Sequence, residues 1–138
     1  MKQRTRSREA ALQYLYQVDI TNSHSEQAME DFFGHFVEDA DLVPYARELI
    51  RGVCGNLEGI DELIESASTN WKVSRMSATD RNILRIAVYE MVYRDDVPYR
   101  VVINEAIEIA KRFGSSKLPS FANGVLDRVW NGIRRDRP

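Results

Sequence analysis

The stretch SATDRNILRIAVYEMVY, residues 77–93, decides the fold class. Ser77 is suited to cap a helix, with Asp80 at the fourth position of a capping box. Six apolar side chains then recur at helical spacing: Ile83, Leu84, Ala87, Val88, Met91 and Val92. A helix that is apolar on most of its surface has to be buried among other elements. The stretch therefore predicts the central helix of an all-α protein.

Helical periodicity continues on both sides of this central helix. The spacing predicts six more helices, over about 7–20, 26–37, 44–55, 57–69, 98–113 and from about 120 onward. The third of these weakens at Gly52 and Gly55. Pro44 and Pro98 suit first helical positions, and Gly114 suits a helix end. No stretch alternates as a strand would, and no linker interrupts the chain. We expect about seven helices in a single domain over residues 1–138.

The second and sixth predicted helices each carry an apolar stripe. Residues Met29, Phe32, Phe33 and Phe36 form the stripe of the second helix, and Val102, Ala106, Ile109, Ala110 and Phe113 form that of the sixth. All of them are predicted to be buried. A charge introduced at Ala106 is then expected to damage the core.

The charge of the chain is unevenly distributed, although its net value is only -2. Residues 1–8 hold four basic side chains and no acid, whereas residues 9–46 hold eight acids and no Lys or Arg. Residues 111–138 hold seven basic residues against two acids. If the two ends meet, they form a positive patch that attracts phosphate. Because a helix dipole opposes cations at its N-terminus, residues 1–8 are predicted to be a flexible basic arm.

Several protein classes are disfavoured by composition and motifs. The chain is 43% hydrophobic and 29% charged, and no apolar run approaches the ~18 residues of a membrane span. A single cysteine, Cys54, fits a reducing, cytoplasmic location. His24 and His35 read as surface residues, and no zinc motif, phosphate loop or nucleophile elbow occurs. We expect no enzyme, no metal and no cofactor.

Three stretches together resemble the NusB family of bacterial transcription antitermination factors. They are RSREAALQYLYQ at 6–17, WKVSRMSATDRNILRIAVYEMVYRDDVPYRVVINEAIEIAKRFG at 71–114 and FANGVLD at 121–127. The resemblance implies two small packed helical bundles and no enzymatic activity. It implies binding of a single-stranded boxA element in RNA together with the ribosomal protein NusE. It also implies assembly with NusA, NusG and RNA polymerase, so that ribosomal RNA operons are transcribed past termination signals.

The same resemblance implies which residues contact RNA. They are Lys2, Arg4, Arg6, Arg8, Tyr16, Lys111, Lys117 and Phe121. Arginine binds phosphate oxygens and stacks on bases, and aromatic rings stack on single-stranded bases. The basic arm would then fold around one RNA strand. On this interpretation, Arg8→Ala weakens RNA binding and leaves thermal stability nearly unchanged.

Asp80 and Glu105 match acidic positions that face NusE in the family. Ribosomal proteins are usually basic, so acids at these positions would aid docking. Each also has a structural interpretation, because Asp80 can cap the fifth helix and Glu105 favours the start of the sixth.

Three alternatives stay open from the sequence. The chain resembles RNA-binding domains that are fused to RNA cytosine methyltransferases, although no Gly-rich nucleotide-binding turn is present. It could be a protein-interaction module whose basic arm binds an acidic partner. It could also form a homodimer that hides the RNA surface. RNA affinity that falls with salt would favour the nucleic-acid interpretation.

Overall fold

The computed structural model describes residues 2–136, which contain seven α-helices and no strand. The helices are α1 Gln3–Thr21, α2 Glu26–Phe36, α3 Val43–Gly55, α4 Leu57–Ala67, α5 Ala78–Tyr93, α6 Tyr99–Phe113 and α7 Leu118–Asp136. Single 3-10 turns, Ala40–Leu42 and Val73–Arg75, precede α3 and α5. The prediction of about seven helices is confirmed. Arg137 of the basic C-terminal stretch lies outside the described residues, as do Met1 and Pro138.

Helix α5 is the central element, as its sequence predicts. It contacts α1, α3, α4, α6 and α7. Every residue from 82 to 91 is buried, and Leu84 and Val88 are completely so. The Ser77 hydroxyl accepts the backbone N–H of Asp80 at 3.1 Å and so caps the helix. The central position of α5 and its Ser77 cap both agree with the prediction from the sequence.

The other helices form two small bundles on either side of α5. Helices α1, α2 and α3 form the first, where the rings of Tyr14 and Phe32 pack edge to face at 5.4 Å. An ion pair between Arg47 and Glu30 at 2.7 Å also joins α3 to α2. Helices α4, α6 and α7 form the second bundle, with α7 packed along both α4 and α6. The expected architecture of two packed bundles is confirmed.

The beginning of α1 differs from the sequence prediction. The helix starts at Gln3, so residues 3–8 are its first turns and not a flexible arm. Ser7, expected near the helix start, is buried, and its hydroxyl donates to the Leu42 carbonyl at 2.9 Å. The predicted arm is therefore wrong, because these residues are helical and Thr5, Ser7 and Arg8 are buried against the rest of the protein.

The predicted stripe of α6 is correct except at its end. Val102, Ala106, Ile109 and Ala110 are buried, whereas Phe113 is half exposed. Phe36 of α2 is exposed in the same way. Each of these two phenylalanines is the last residue of its helix, where the chain turns away and a groove opens beside the ring.

Ala106→Glu is predicted to destabilise the protein by about 3 kcal/mol or more, because it buries a carboxylate without a partner. The matched control is Val101→Glu, which adds the same charge to an exposed position of α6. Its effect is expected to stay within about 0.5 kcal/mol. Urea unfolding followed by circular dichroism measures both, and equal midpoints for the two variants would show that α6 faces another way.

Candidate nucleic-acid interface

Two of the N-terminal arginines form exposed ion pairs with carboxylates from other elements. Arg4 Nη2 lies 3.4 Å from Asp96 Oδ2, and Arg6 Nη1 lies 3.3 Å from Asp39 Oδ2. These distant carboxylates offset the unfavourable interaction between the arginines and the dipole of α1. They explain why the helix can begin at Gln3. Lys2, at the N-cap position, is exposed.

Arg8 differs from its neighbours because it is buried, with 4% of its surface exposed. Its Nε and Nη2 donate to the Glu90 carboxylate at 2.9 Å, and its Nη1 donates to Glu105 at 2.8 Å. The Tyr45 phenol donates to the same Glu90 carboxylate, and the Thr5 hydroxyl donates to Glu105. The five side chains form one network that joins α1, α3, α5 and α6.

The electrostatics of this network favour the ion pair. Burial opposes the charge of Arg8, but the hydrogen bond and the negative charge of Glu90 outweigh it, so the pKa of Arg8 is raised. Burial and the same carboxylate raise the pKa of Tyr45, which keeps its phenol protonated as a donor. Glu90 itself is almost completely buried.

This geometry corrects two inferences from the sequence. Arg8 was expected to contact RNA, but its guanidinium faces Glu90 and Glu105 inside the protein. We therefore remove Arg8 from the RNA-binding set and assign it a structural role. Glu105 was expected to face NusE, but its carboxylate binds Arg8 and Thr5, so we assign it to the same network.

An open groove of about 950 Å³ lies between α1 and the ends of α2 and α6. Three aromatic side chains line it: Tyr16 is 46% exposed, Phe36 is 60% exposed and Phe113 is 50% exposed. Arg6 also lines it, together with acids such as Glu38. Exposed rings on a charged rim can stack on bases while the cations contact phosphates. We call this feature the aromatic groove.

Basic residues at the end of α6 border the aromatic groove. Arg112 lies over the Phe113 ring, 5.1 Å from its centroid, and forms an ion pair with Glu9 of the groove. Lys111 is exposed and pairs with Glu108 at 3.4 Å. Lys117 is exposed just before α7. The structure thus brings Lys111 and Lys117 to the end of α6 that carries Phe113.

Asp80 fixes the turn that carries Lys117. Its two carboxylate oxygens accept the backbone N–H of Ser115 at 3.0 Å and the Ser115 hydroxyl at 2.7 Å. The neighbouring Thr79 lines the aromatic groove. Asp80 is partly exposed, and its carboxylate ties the α6–α7 turn to the start of α5.

Phe121 lies outside the residues that line the aromatic groove. It is partly buried on α7, and its ring packs against Trp71 with centroids 6.0 Å apart and planes inclined by 62°. Trp71 is 49% exposed. The structure therefore divides the predicted aromatic contacts, with Tyr16 in the groove and Phe121 beside Trp71.

Four exposed aromatic residues were missed from the sequence: Phe36, Phe113, Trp71 and Tyr93. The first two continue an apolar stripe, but each stands at the last position of its helix, which was the available signal. Trp71 stands in the polar segment STNWK, where a large ring has no periodic reason to be buried.

Metal binding and membrane insertion find no support in the described part of the chain. Between residues 2 and 136, no group of three or more His, Cys, Asp or Glu side chains is arranged to hold a metal ion. Over the same residues, no helix combines the length and apolar character that a membrane span requires.

The fold and the groove define a small all-helical protein with an exposed aromatic groove, whose lining and border carry both cations and acids. The sequence profile of the NusB family matches residues 5–131, and the chain belongs to this family of transcription antitermination factors. The transcription antitermination protein NusB of Anaeromyxobacter dehalogenans is 47% identical over 131 residues, which cover 94% of this chain and 92% of that protein. NusB of Bacillus pumilus is 42% identical, with 98% and 99% covered.

Solved structures share the fold. NusB of T. maritima superposes with a TM-score of 0.83 at 40% identity, covering 93% of this chain and 90% of that one. A chain from a crystal structure of NusB and NusE in complex with double-stranded RNA has a TM-score of 0.83 at 23% identity, covering 96% of this chain and 98% of that one. The family resemblance of the sequence is confirmed.

Arg8→Ala is predicted to destabilise the protein by about 3–5 kcal/mol, because it leaves the Glu90 carboxylate buried without its charged partner. This reverses the expectation from the sequence. Arg4→Ala removes an exposed ion pair from the same helix and should change stability by about 1 kcal/mol or less. Urea unfolding of both variants is the measurement. A stability loss for Arg8→Ala no larger than that for Arg4→Ala would contradict the assigned role.

Proposed function

We propose that this chain is a non-enzymatic antitermination factor that binds single-stranded boxA-type RNA together with NusE in the cytoplasm. In this proposal it acts with NusA, NusG and RNA polymerase to keep transcription of ribosomal RNA operons processive. Membership of the NusB family supports the general role. The aromatic groove is the observation that carries the RNA-binding part, because its exposed rings and basic border match the chemistry of single-stranded nucleic acid.

The proposed RNA contacts follow the exposed side of α1, the end of α6 and the start of α7. They are Lys2, Arg4, Arg6, Tyr16, Lys111, Lys117 and Phe121, without Arg8. The ion pairs of Arg4 and Arg6 are exposed, so phosphate oxygens can replace their carboxylate partners at little cost. RNA phosphates would then release Asp96 and Asp39 to solvent. Arg4 and Arg6 can therefore bind phosphate even though carboxylates neutralise their charges in the free protein.

The NusE part of the proposal has separate support. A NusB chain of the same fold was crystallised with NusE and double-stranded RNA, and we transfer both kinds of partner to this chain. Asp80, which is partly exposed, is the acid that we propose to face NusE. Glu105 would act indirectly, by holding Arg8 and the start of α1 in place.

A homodimer that covers the aromatic groove is the second candidate. The observation in its favour is that Tyr16, Phe36 and Phe113 expose apolar surface around one concave feature. Sedimentation equilibrium distinguishes the two candidates. If the protein is a stable dimer that dissociates when RNA is added, the same groove binds the second copy and RNA in turn.

Tyr16→Ala is predicted to weaken binding of a boxA-like RNA by about tenfold, because stacking on one aromatic ring is removed. Ile20→Ala is the matched control, since Ile20 is an exposed apolar residue of α1 outside the groove lining. Fluorescence anisotropy of an end-labelled RNA measures both, with a scrambled RNA beside it. Equal affinities for the two RNAs, with NusE present as well as absent, would reject the proposed function.

Arg6→Ala is predicted to reduce the salt dependence of RNA binding. Each phosphate contact to a single strand contributes about -0.7 to the slope of log affinity against log salt. Loss of one contact should therefore make the slope shallower by about 0.7, while protein stability changes little. Titrations at four salt concentrations give the slope. A slope identical to that of the unsubstituted protein would exclude Arg6 from the interface.

A further inference from the structure

The segment between α4 and α5 holds Trp71 in a fixed position on the surface. The hydroxyl of buried Ser68 donates to the Trp71 carbonyl at 3.0 Å. Two residues later, the Val73 N–H donates to the Glu65 carboxylate at 2.9 Å. These hydrogen bonds hold the backbone on both sides of Trp71 against the end of α4, and the half-exposed indole packs against Phe121.

The contact between the two rings leaves a flat surface open. Their planes are inclined by 62°, and in an edge-to-face pair the ring that contributes its edge keeps both faces clear of the other ring. The pair formed by Trp130 of α7 with Tyr99 of α6 has a different geometry. Tyr99 and Trp130 are stacked face to face with centroids at 4.7 Å and planes within 7°, so each covers one face of the other.

Three basic residues lie next to Trp71 or Phe121 along the chain or on the same helix face. Lys72 follows Trp71 and is exposed. Lys117 precedes Phe121 by one helical turn, since the Phe121 N–H donates to the Lys117 carbonyl. Arg128 lies two turns further along the same face of α7, within about 20° of Phe121 around the helix axis.

Arg128 is positioned by contacts with two helices. Its Nε donates to the Ala67 carbonyl at the end of α4 at 2.6 Å. Its Nη1 would lie 3.4 Å from a Cβ added to Gly124, so the guanidinium is folded back along α7 toward Phe121. Two acids near this surface are engaged by backbone N–H groups, since Glu65 accepts from Val73 and Asp80 accepts from Ser115. The side chains of Lys72, Lys117 and Arg128 are all exposed.

We propose that Trp71 and Phe121 form a base-stacking site for single-stranded RNA, with Lys72, Lys117 and Arg128 as phosphate contacts. The proposal rests on the proposed function and extends the RNA surface beyond Lys117 to the α4–α5 segment. Exposed rings bordered by cations attract a single-stranded nucleic acid, because bases offer flat faces and phosphates offer negative charge at each step. Trp71 is the residue on which the site depends.

The test uses Trp71 as its own reporter. The chain has two tryptophans, so Trp130→Phe leaves Trp71 as the single fluorophore of this type. This variant is titrated with boxA-like RNA that carries a dye at one end, in the presence of NusE whose own emission is subtracted. RNA anisotropy and tryptophan emission are read from the same samples. We expect emission to be quenched in proportion to the bound fraction, as stacking on a base requires.

Affinities of two Trp71 variants complete the test. Trp71→Ala is expected to weaken RNA binding by about tenfold, whereas Trp71→Phe retains a stacking ring and most of the affinity. Tyr93→Ala is the matched control, because Tyr93 is also an exposed aromatic but lies at the opposite end of α5, roughly 20 Å away. It should bind RNA as the unsubstituted protein does.

The possible outcomes separate the stacking site from the proposed function. If RNA binds with full anisotropy change, but Trp71 emission is constant and Trp71→Ala binds normally, the stacking site is refuted and the proposed function stands. If no RNA binds even with NusE, both fall. If NusE quenches Trp71 without RNA, the surface is a protein-docking site, which also overturns the proposal.

Discussion

The buried ion pair between Arg8 and Glu90 is the interaction on which the rest of the structure depends. Removing both charges from water is unfavourable, and the pair is stable because Glu105 and Tyr45 complete its hydrogen bonds. It fixes α1 against α5 and, through Glu105, against α6. The aromatic groove lies between α1 and the ends of α2 and α6, so its shape follows from this attachment. Arg8, which the sequence suggested as an RNA contact, therefore acts by fixing the helix that lines the groove.

A second polar cluster fixes the other end of α1. Asp19 accepts hydrogen bonds from Arg81 at 2.7 Å and from Asn82 at 2.7 Å, and it lies 3.2 Å from Arg85. Asp19 is eleven residues after Arg8, which returns to nearly the same face of α1 after three turns. The two clusters therefore hold one face of α1 on α5, in antiparallel orientation. Tyr16 lies off that face, and this leaves its ring available in the groove.

Local patterns predicted much of this fold, and long-range contacts account for the errors. The central helix, its Ser77 cap and the buried positions of α6 through Ala110 follow from spacing alone. The first turns of α1 were misjudged because the carboxylates that stabilise them come from residues 33 to 100 positions away. Periodicity also placed Phe36 and Phe113 in the core, since it does not show where a neighbouring helix ends. The polar segment around Trp71 indicates an exposed ring, but its position beside Phe121 follows only from the fold.

The coupling free energy between Arg8 and Glu90 tests this account most directly. It is obtained from the unfolding free energies of the unsubstituted protein, Arg8→Met, Glu90→Met and the double variant, measured in urea at neutral pH. We predict that the two single substitutions are each strongly destabilising and that the double variant is more stable than their sum implies, by about 2 kcal/mol. Additive effects, within about 0.5 kcal/mol, would show that the pair does not act as a unit and would contradict the central role assigned to it.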